Sequence, residues 1–384
     1  MRRTAVVALG LALLAGCGDD GGDEQTVDAG ATTTSTAVPG STAAPGGDTP
    51  LGTPSSEPIG FEVFQELPQP TGDTATADRP PLTGWGGSAV LIGPAGGLVR
   101  LDTEQGAEVT PTEGLDVAEG ENRVRAVDLL ASSDDSLLAF GHEEDLLADV
   151  EPPIRPFAWR SEDDGDTWEA LELSGLDGGS DEVTITALVG MGEGRFMAGG
   201  EIDDGNQTTL VVWLSDDGGE SWEEMEGTGL DHTDNEEESE HLVGLAVGPE
   251  RILAIREETG LDDSRITILQ LGDSEQWEEL EPTGLDALDL PNSDIIPTVA
   301  SVSTFDGPLF TMFASVPADD DEPFGERIPT LFTSDDGEHW DATELEGPTL
   351  PDPFFVQAIT GTEFGAVAVA EGEDALNVWR FTDD

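Results

Sequence analysis

Three eight-residue segments of this 384-residue chain align without gaps. They are Ser161-Glu162-Asp163-Asp164-Gly165-Asp166-Thr167-Trp168, Ser215-Asp216-Asp217-Gly218-Gly219-Glu220-Ser221-Trp222 and Thr333-Ser334-Asp335-Asp336-Gly337-Glu338-His339-Trp340. All fit Ser/Thr-x-Asp-x-Gly-x-x-Trp, and such recurrence is the mark of an architecture assembled from repeated units. A second signature follows each Trp. Gly175-Leu176-Asp177, Gly229-Leu230-Asp231 and Gly284-Leu285-Asp286 begin seven residues after Trp168, Trp222 and Trp277. Trp277 therefore marks a further unit whose first segment has decayed to Gln270-Leu271-Gly272-Asp273-Ser274. Gly114-Leu115-Asp116 marks an earlier unit, with Ala107 at the Trp place. The Trp spacings of 54, 55 and 63 residues suit one four-stranded sheet per unit with generous loops.

The sequence between the motifs supports strands. Val183–Val189, Arg195–Ile202, Leu210–Leu214 and Arg265–Leu269 alternate apolar and polar residues or run apolar for five to eight positions, bounded by Gly, Asp and Pro. No stretch carries a 3.6-residue apolar period, so the chain reads as all-β. Second strands are expected near residues 88, 136, 195, 250, 308 and 364, and third strands near 97, 156, 209, 265, 329 and 376. Complete fourth strands are expected at only five places, residues 107, 168, 222, 277 and 340. Gly60-Phe61-Glu62-Val63-Phe64 is placed to supply the sixth, because pairing the chain ends hides the last sheet edge. The expectation is a β-propeller over residues 59–384, with six four-stranded antiparallel blades; seven blades with degenerate ends is the alternative.

The eight-residue motif falls between third and fourth strands, where a tight hairpin is needed. Gly supplies the positive φ of the turn. Asp and Ser or Thr side chains bond the turn's own amides, and Trp buries roughly 200 Å². The motif resembles the Asp-box, or BNR repeat, of sialidases, sortilin-type receptors and a photosystem II assembly factor. In those families it lies on the blade periphery, away from the central site. The resemblance therefore implies that Ser161, Asp163, Gly165, Trp168, Ser215, Asp217, Gly219, Trp222, Thr333, Asp335, Gly337 and Trp340 are architectural. On this reading Trp222→Ala lowers the melting temperature but leaves any binding per folded molecule intact. The dense acids of Asp163–Asp166 also mimic a calcium loop. They lack the alternating ligands and distal bidentate Glu of an EF-hand, so no metal or other cofactor is assigned, with Ca²⁺ as the lesser reading.

The N-terminus carries a targeting pattern. Arg2 and Arg3 precede the apolar stretch Thr4–Leu14, which is too short to span a bilayer. Leu14-Ala15-Gly16-Cys17 resembles the lipobox of bacterial lipoproteins. The resemblance implies a signal peptide over 1–16, acyl groups on Cys17, and a mature protein anchored on the extracytoplasmic face of the cell membrane. Multiple acyl chains hold firmly where one is reversible. Cys17 is the single cysteine, which excludes intrachain disulfides and Cys-based metal sites. Residues 17–58 read as the lipidated Cys and a Thr/Ser/Pro/Gly-rich tether with a reach on the order of 35 Å.

Charge narrows the partners. Without the leader, 12 Arg face 83 Asp and Glu, a formal balance of −71, and the chain has neither Lys nor Tyr. Such a field repels nucleic acid. It serves solubility in a salty or acidic exterior, recognition of a cationic protein, peptide or Ca²⁺-bridged glycan, or both. A monomer is expected. Catalytic residues are not assigned. The absence of Tyr removes the nucleophile of sialidase chemistry. Arg327-Ile328-Pro329 resembles the sialidase Arg-Ile-Pro triplet, but it follows Glu326 and runs straight into an Asp-box. His142, His232, His241 and His339 show no metal-binding spacing and read as surface residues. A binding or assembly module is the leading reading, its face drawn from Asp231–His241, Ile202–Gln207 and Pro317–Glu326. A carboxylate-based glycoside hydrolase and a structural envelope protein are the alternatives.

Overall fold

A computed structural model describes the strands between Gly60 and Thr382 and many of the hairpins that join them. Residues 1–59, and longer loops such as 69–80, 146–155, 231–238, 286–297, 302–309, 318–326 and 345–355, lie outside the described residues. The signal peptide, Cys17 and the tether therefore fall outside them.

Among the described residues the strands pair into six antiparallel sheets, five of four strands and one of five. Sheet I comprises Leu82–Trp85, Ser88–Ile92, Leu98–Asp102 and Gly106–Thr110. Sheet II has Arg123–Ser133, Ser136–Asp145, Pro156–Ser161 and Glu169–Leu171, with the two-residue strand Glu119–Gly120 added to its first. Sheet III is Glu182–Gly192, Arg195–Asp203, Thr208–Ser215 and Glu223–Glu224. Sheet IV is Ser239–Val247, Ile252–Thr259, Ser264–Leu271 and Trp277–Glu279. Sheet V is Thr298–Ser301, Phe310–Pro317, Arg327–Ser334 and Asp341–Glu344. Sheet VI takes Val356–Thr362, Gly365–Glu371 and Ala375–Thr382 from the C-terminus, and its outer strand Gly60–Pro68 from the far end of the chain. Gly60 pairs with Thr382 and Pro68 with Ala375, so the segment expected to close the structure does pair with the last strand.

The first strands of successive sheets lie side by side, and that of sheet VI lies against that of sheet I. This is a β-propeller arrangement of four-stranded antiparallel blades. First strands carry a β-bulge at a matching place, around Asp128, Thr186, Val243 and Gln357. A bulge adds local twist, which suits strands converging on an axis.

Period-2 alternation explains why the strands are apolar on both faces. Ala89 and Leu91 pack against Val367, Val369 and Val378 of sheet VI, while Val90 and Ile92 pack against Leu137 and Trp159 of sheet II. The core is thus a series of apolar layers between neighbouring sheets. The fourth strands have one bonded neighbour each and carry exposed acids: Glu169, Glu223, Glu224, Glu278, Glu279, Asp341 and Glu344. Like charge along an open edge opposes pairing with another chain.

Candidate functional site

The first two Asp-boxes have the same internal bonding. The Ser161 hydroxyl donates to Asp163 Oδ1 (2.9 Å) and accepts from the Gly165 amide (2.9 Å). Asp163 Oδ1 also accepts from the Thr167 amide (2.8 Å), and Oδ2 from the Thr167 hydroxyl (2.6 Å). The Trp168 indole donates to the Gly165 carbonyl at 3.0 Å. Ser215, Asp217, Gly219, Ser221 and Trp222 repeat each of these bonds. The Thr167 hydroxyl and amide hold the Asp163 carboxyl below its ordinary value. At Asp217 burial pushes upward, but the bonds from Ser221 and Ser215 outweigh it and the net direction is again downward.

The third box corrects the register expected from sequence. Thr333 and Asp335 do not occupy the bonding positions; Ser334 and Asp336 do. The Ser334 hydroxyl accepts from the Gly337 amide (2.7 Å), and Asp336 Oδ1 accepts from the His339 amide (2.8 Å). The Trp340 indole still donates to the Gly337 carbonyl (3.0 Å). Strand pairing agrees: Ser334 lies opposite Phe310 as Ser215 lies opposite Phe196 and Ser161 opposite Leu137. The reason is a shorter turn. In the first two boxes a left-handed residue, Asp164 or Gly218, precedes the Gly that holds the indole, and the third lacks it. A gapless alignment anchored on Gly and Trp therefore misplaces the Ser and Asp by one.

Each box is fastened to the preceding sheet. Trp168, Trp222 and Trp340 donate their backbone amides to the carbonyls of Glu113, Ser174 and Thr283 (2.8 to 2.9 Å). The amides of Glu113, Ser174 and Thr283 bond back to Asp166, Glu220 and Glu338. Gly114, Gly175 and Gly284 follow at φ near +88°, and a Cβ on any of them would sit within about 2.1 Å of the next unit's Trp carbonyl. Leu176 and Leu285 pack in the same layers as Trp222 and Trp340. The Gly-Leu-Asp signature that sequence counted with the Trp before it thus serves the Trp after it. On the box side, Gly165, Gly219 and Gly337 leave room for Leu98, Leu138 and Leu253 of the preceding sheet. Arg100, Arg160 and Arg251 reach across as well, to the Asp164 carbonyl, to the Asp217 carbonyl and Glu220, and to Glu338.

Asp336, Glu338 and His339 bring ligand atoms within 4.8 Å of one another. Those atoms already have partners. Asp336 Oδ1 accepts two amides, Oδ2 lies 2.7 Å from His339 Nδ1, and Glu338 pairs with Arg251 at 2.8 Å. A cation there would have to displace bonds that hold the hairpin.

The opposite end of the blades carries a different chemistry, which sequence did not reveal. Glu201, near the end of the second strand of sheet III, lies 2.8 Å from His241, at the start of the first strand of sheet IV. The Glu201 bond, set against partial burial, raises the His241 pKa above its ordinary value; Glu201 and Glu257 charges add to the rise. Glu257 stands opposite His241 in strand register, and Glu240 beside it is 8% exposed. One sheet earlier, His142 lies 2.6 Å from Asp128, and both are partly buried rather than surface groups. The second-strand positions of His142, Glu201 and Glu257 match, each two residues from the local bulge across the pair. Asp231–Glu238, Asp204–Gln207 and Ala318–Glu326, expected in the binding face, and His232 lie outside the described residues. Arg327-Ile328-Pro329 opens the third strand of sheet V, directly before the box.

No protein-family model matches the chain, and no curated protein matches it. Solved structures do. A protein of unknown function from Dyadobacter fermentans is 12% identical, with a TM-score of 0.54 over 84% of this chain and 99% of its own. An α-L-arabinanase from Penicillium chrysogenum, complexed with arabinobiose, is 13% identical, with a TM-score of 0.50 over 86% and 99%. A Trypanosoma rangeli sialidase is 10% identical, with a TM-score of 0.48, and the chain spans 58% of it. At these identities the likeness concerns the fold alone: this chain shares its overall fold with the Dyadobacter protein and the arabinanase.

Proposed function

We propose that the protein is a six-bladed Asp-box propeller, lipid-anchored through Cys17 on the extracytoplasmic face, that binds a cationic protein or peptide without catalysis. The observation that carries this reading is the division of labour between the two ends of the blades. At the box end the Ser, Asp, Gly and Trp groups are spent on one another and on the preceding sheet. The other end gathers Glu201, Glu240, Glu257 and His241 in a chain of formal charge −69. Carboxylates there favour a cationic ligand through complementary potential. The six sheets and the closing Gly60–Pro68 strand support the blade count. The small residues before the lone Cys17 support the anchor.

The test uses the full mature chain in detergent micelles. An Arg-rich peptide should bind with an affinity that falls steeply with salt, while its Glu-substituted counterpart should not bind. Equal or absent binding of the two peptides would remove the reading. Loss of membrane partitioning in Cys17→Ser tests the anchor separately. A second reading, carboxylate-based glycoside hydrolysis, is favoured by the fold likeness to the arabinanase. A fluorogenic glycoside panel that includes arabinosides decides between them: turnover abolished by a single carboxylate substitution selects the hydrolase.

A further inference from the structure

The Glu201–His241 contact is unlike the other fastenings of the structure. The box fastenings are made by backbone groups, by Arg and by buried Leu, none of which changes charge near neutral pH. Glu201–His241 joins sheets III and IV through an imidazole, the side chain whose ordinary titration lies nearest neutrality. It sits at the end away from the boxes. Beside it the Thr186 hydroxyl, at the bulge of sheet III, donates to the Leu242 carbonyl of sheet IV at 2.5 Å, so the seam is already close there.

We propose that Glu201 and His241 form a proton-dependent clasp that tightens the seam between sheets III and IV when the surroundings turn mildly acidic. The groups around the imidazole favour that direction. Its own strand contributes Glu240, and the strand beside it contributes Arg256, Glu257 and Glu258. Arg256 lies 2.6 Å from Glu258, which takes up its charge. Sheet III contributes Glu182 from its first strand and Glu201 and Asp203 from its second, with Arg195 at the far end. Thr208–Ser215 and Thr298–Ser301, which also pack near, carry no titratable group. Acids therefore dominate, and a proton on His241 is drawn in rather than repelled. A histidine whose folded pKa is raised contributes stability that is complete below its unfolded value of about 6.5 and lost as pH rises through the higher folded value. Above that window the clasp keeps a hydrogen bond but loses its ion pair.

The experiment compares the mature protein with His241→Gln, Glu201→Gln and the double variant. Thermal unfolding is followed at about pH 5.5 and about pH 8.5, on either side of the ordinary His value. The wild type should exceed each variant by about 2 °C at the acid pH, with the gap closing at the alkaline pH, as suits one partly exposed pair in a domain of this size. The double variant should match the singles. Comparing variants at the same pH cancels the self-repulsion common to all of them. An NMR titration of the His241 ring supplies a readout that needs no unfolding: its midpoint should lie above the ordinary value in the wild type and fall in Glu201→Gln. A gap equal at both pH values, additive singles, or a midpoint at or below the ordinary value in the wild type would overturn the clasp.

Discussion

The box of sheet III and the corresponding stretch of sheet IV share a fold position but little of the same chemistry. In Ser215–Trp222 the indole finds the Gly219 carbonyl at 2.9 Å, and Ser215 and Asp217 hold the turn from within. In Gln270–Trp277 Leu271 stands where the serine would, and the Gly272 amide bonds the Gln276 carbonyl. Trp277 is still 4% exposed, packed against Leu230 and Leu269, yet its indole N–H has no partner among the described residues. Gln270 Oε1, opposite Leu253 as Arg160 is opposite Leu138, is also buried without one among the described residues. The difference separates two roles that coincide in the intact motif. Apolar burial of the Trp is what the unit retains when the motif decays; the polar turn is an addition that locks it.

The largest effect should come from the fastening of the sheet III box to sheet II. Gly175→Ala places a methyl on the Trp222 carbonyl in a backbone conformation that L residues avoid. It should cost about 3 kcal/mol or more, read by chemical denaturation. A change below about 1 kcal/mol would mean that the two sheets separate easily at this point.

The comparison sharpens with matched aromatic substitutions. Trp222→Phe removes an indole bond and leaves the buried Gly219 carbonyl orphaned, so it should cost about 1–2 kcal/mol more than Trp277→Phe, where the lost N–H was already unpartnered. Equal losses would show that packing alone, not the polar lock, sets the stability of the intact box.

The smallest effect should be Asp217→Asn, about 1 kcal/mol near neutral pH. The Asp217 carboxyl is held below its ordinary value, so its contribution is present above the unfolded value of 3.8 and lost as pH falls through the lower folded value. The gap between wild type and Asp217→Asn should therefore shrink as pH drops through that window.

Much of this organisation was legible in the residues. Alternating apolar runs placed the strands, and the Asp-box residues marked hairpins, because both signals depend on neighbours in the chain. The third box shows where local reading stops. Its four-residue end, Gly337 to Trp340, aligned correctly, but the missing left-handed residue shifted Ser334 and Asp336 into the roles assigned to Thr333 and Asp335. His142 read as a surface residue, and the partner of the exposed His241 went unseen, because nothing beside them in sequence suggests one; Asp128 and Glu201 lie 14 and 40 positions away.

By itself the sequence determined the repeated unit, the all-β class and the acidic surface, since turn chemistry, strand period and composition are properties of short segments. Only the tertiary structure decided that the Gly-Leu pairs at Gly114, Gly175 and Gly284 fasten the following unit's Trp and that Glu201 meets His241 across a seam. Those pairings join residues from different sheets, and their energies exist only once the sheets are packed side by side.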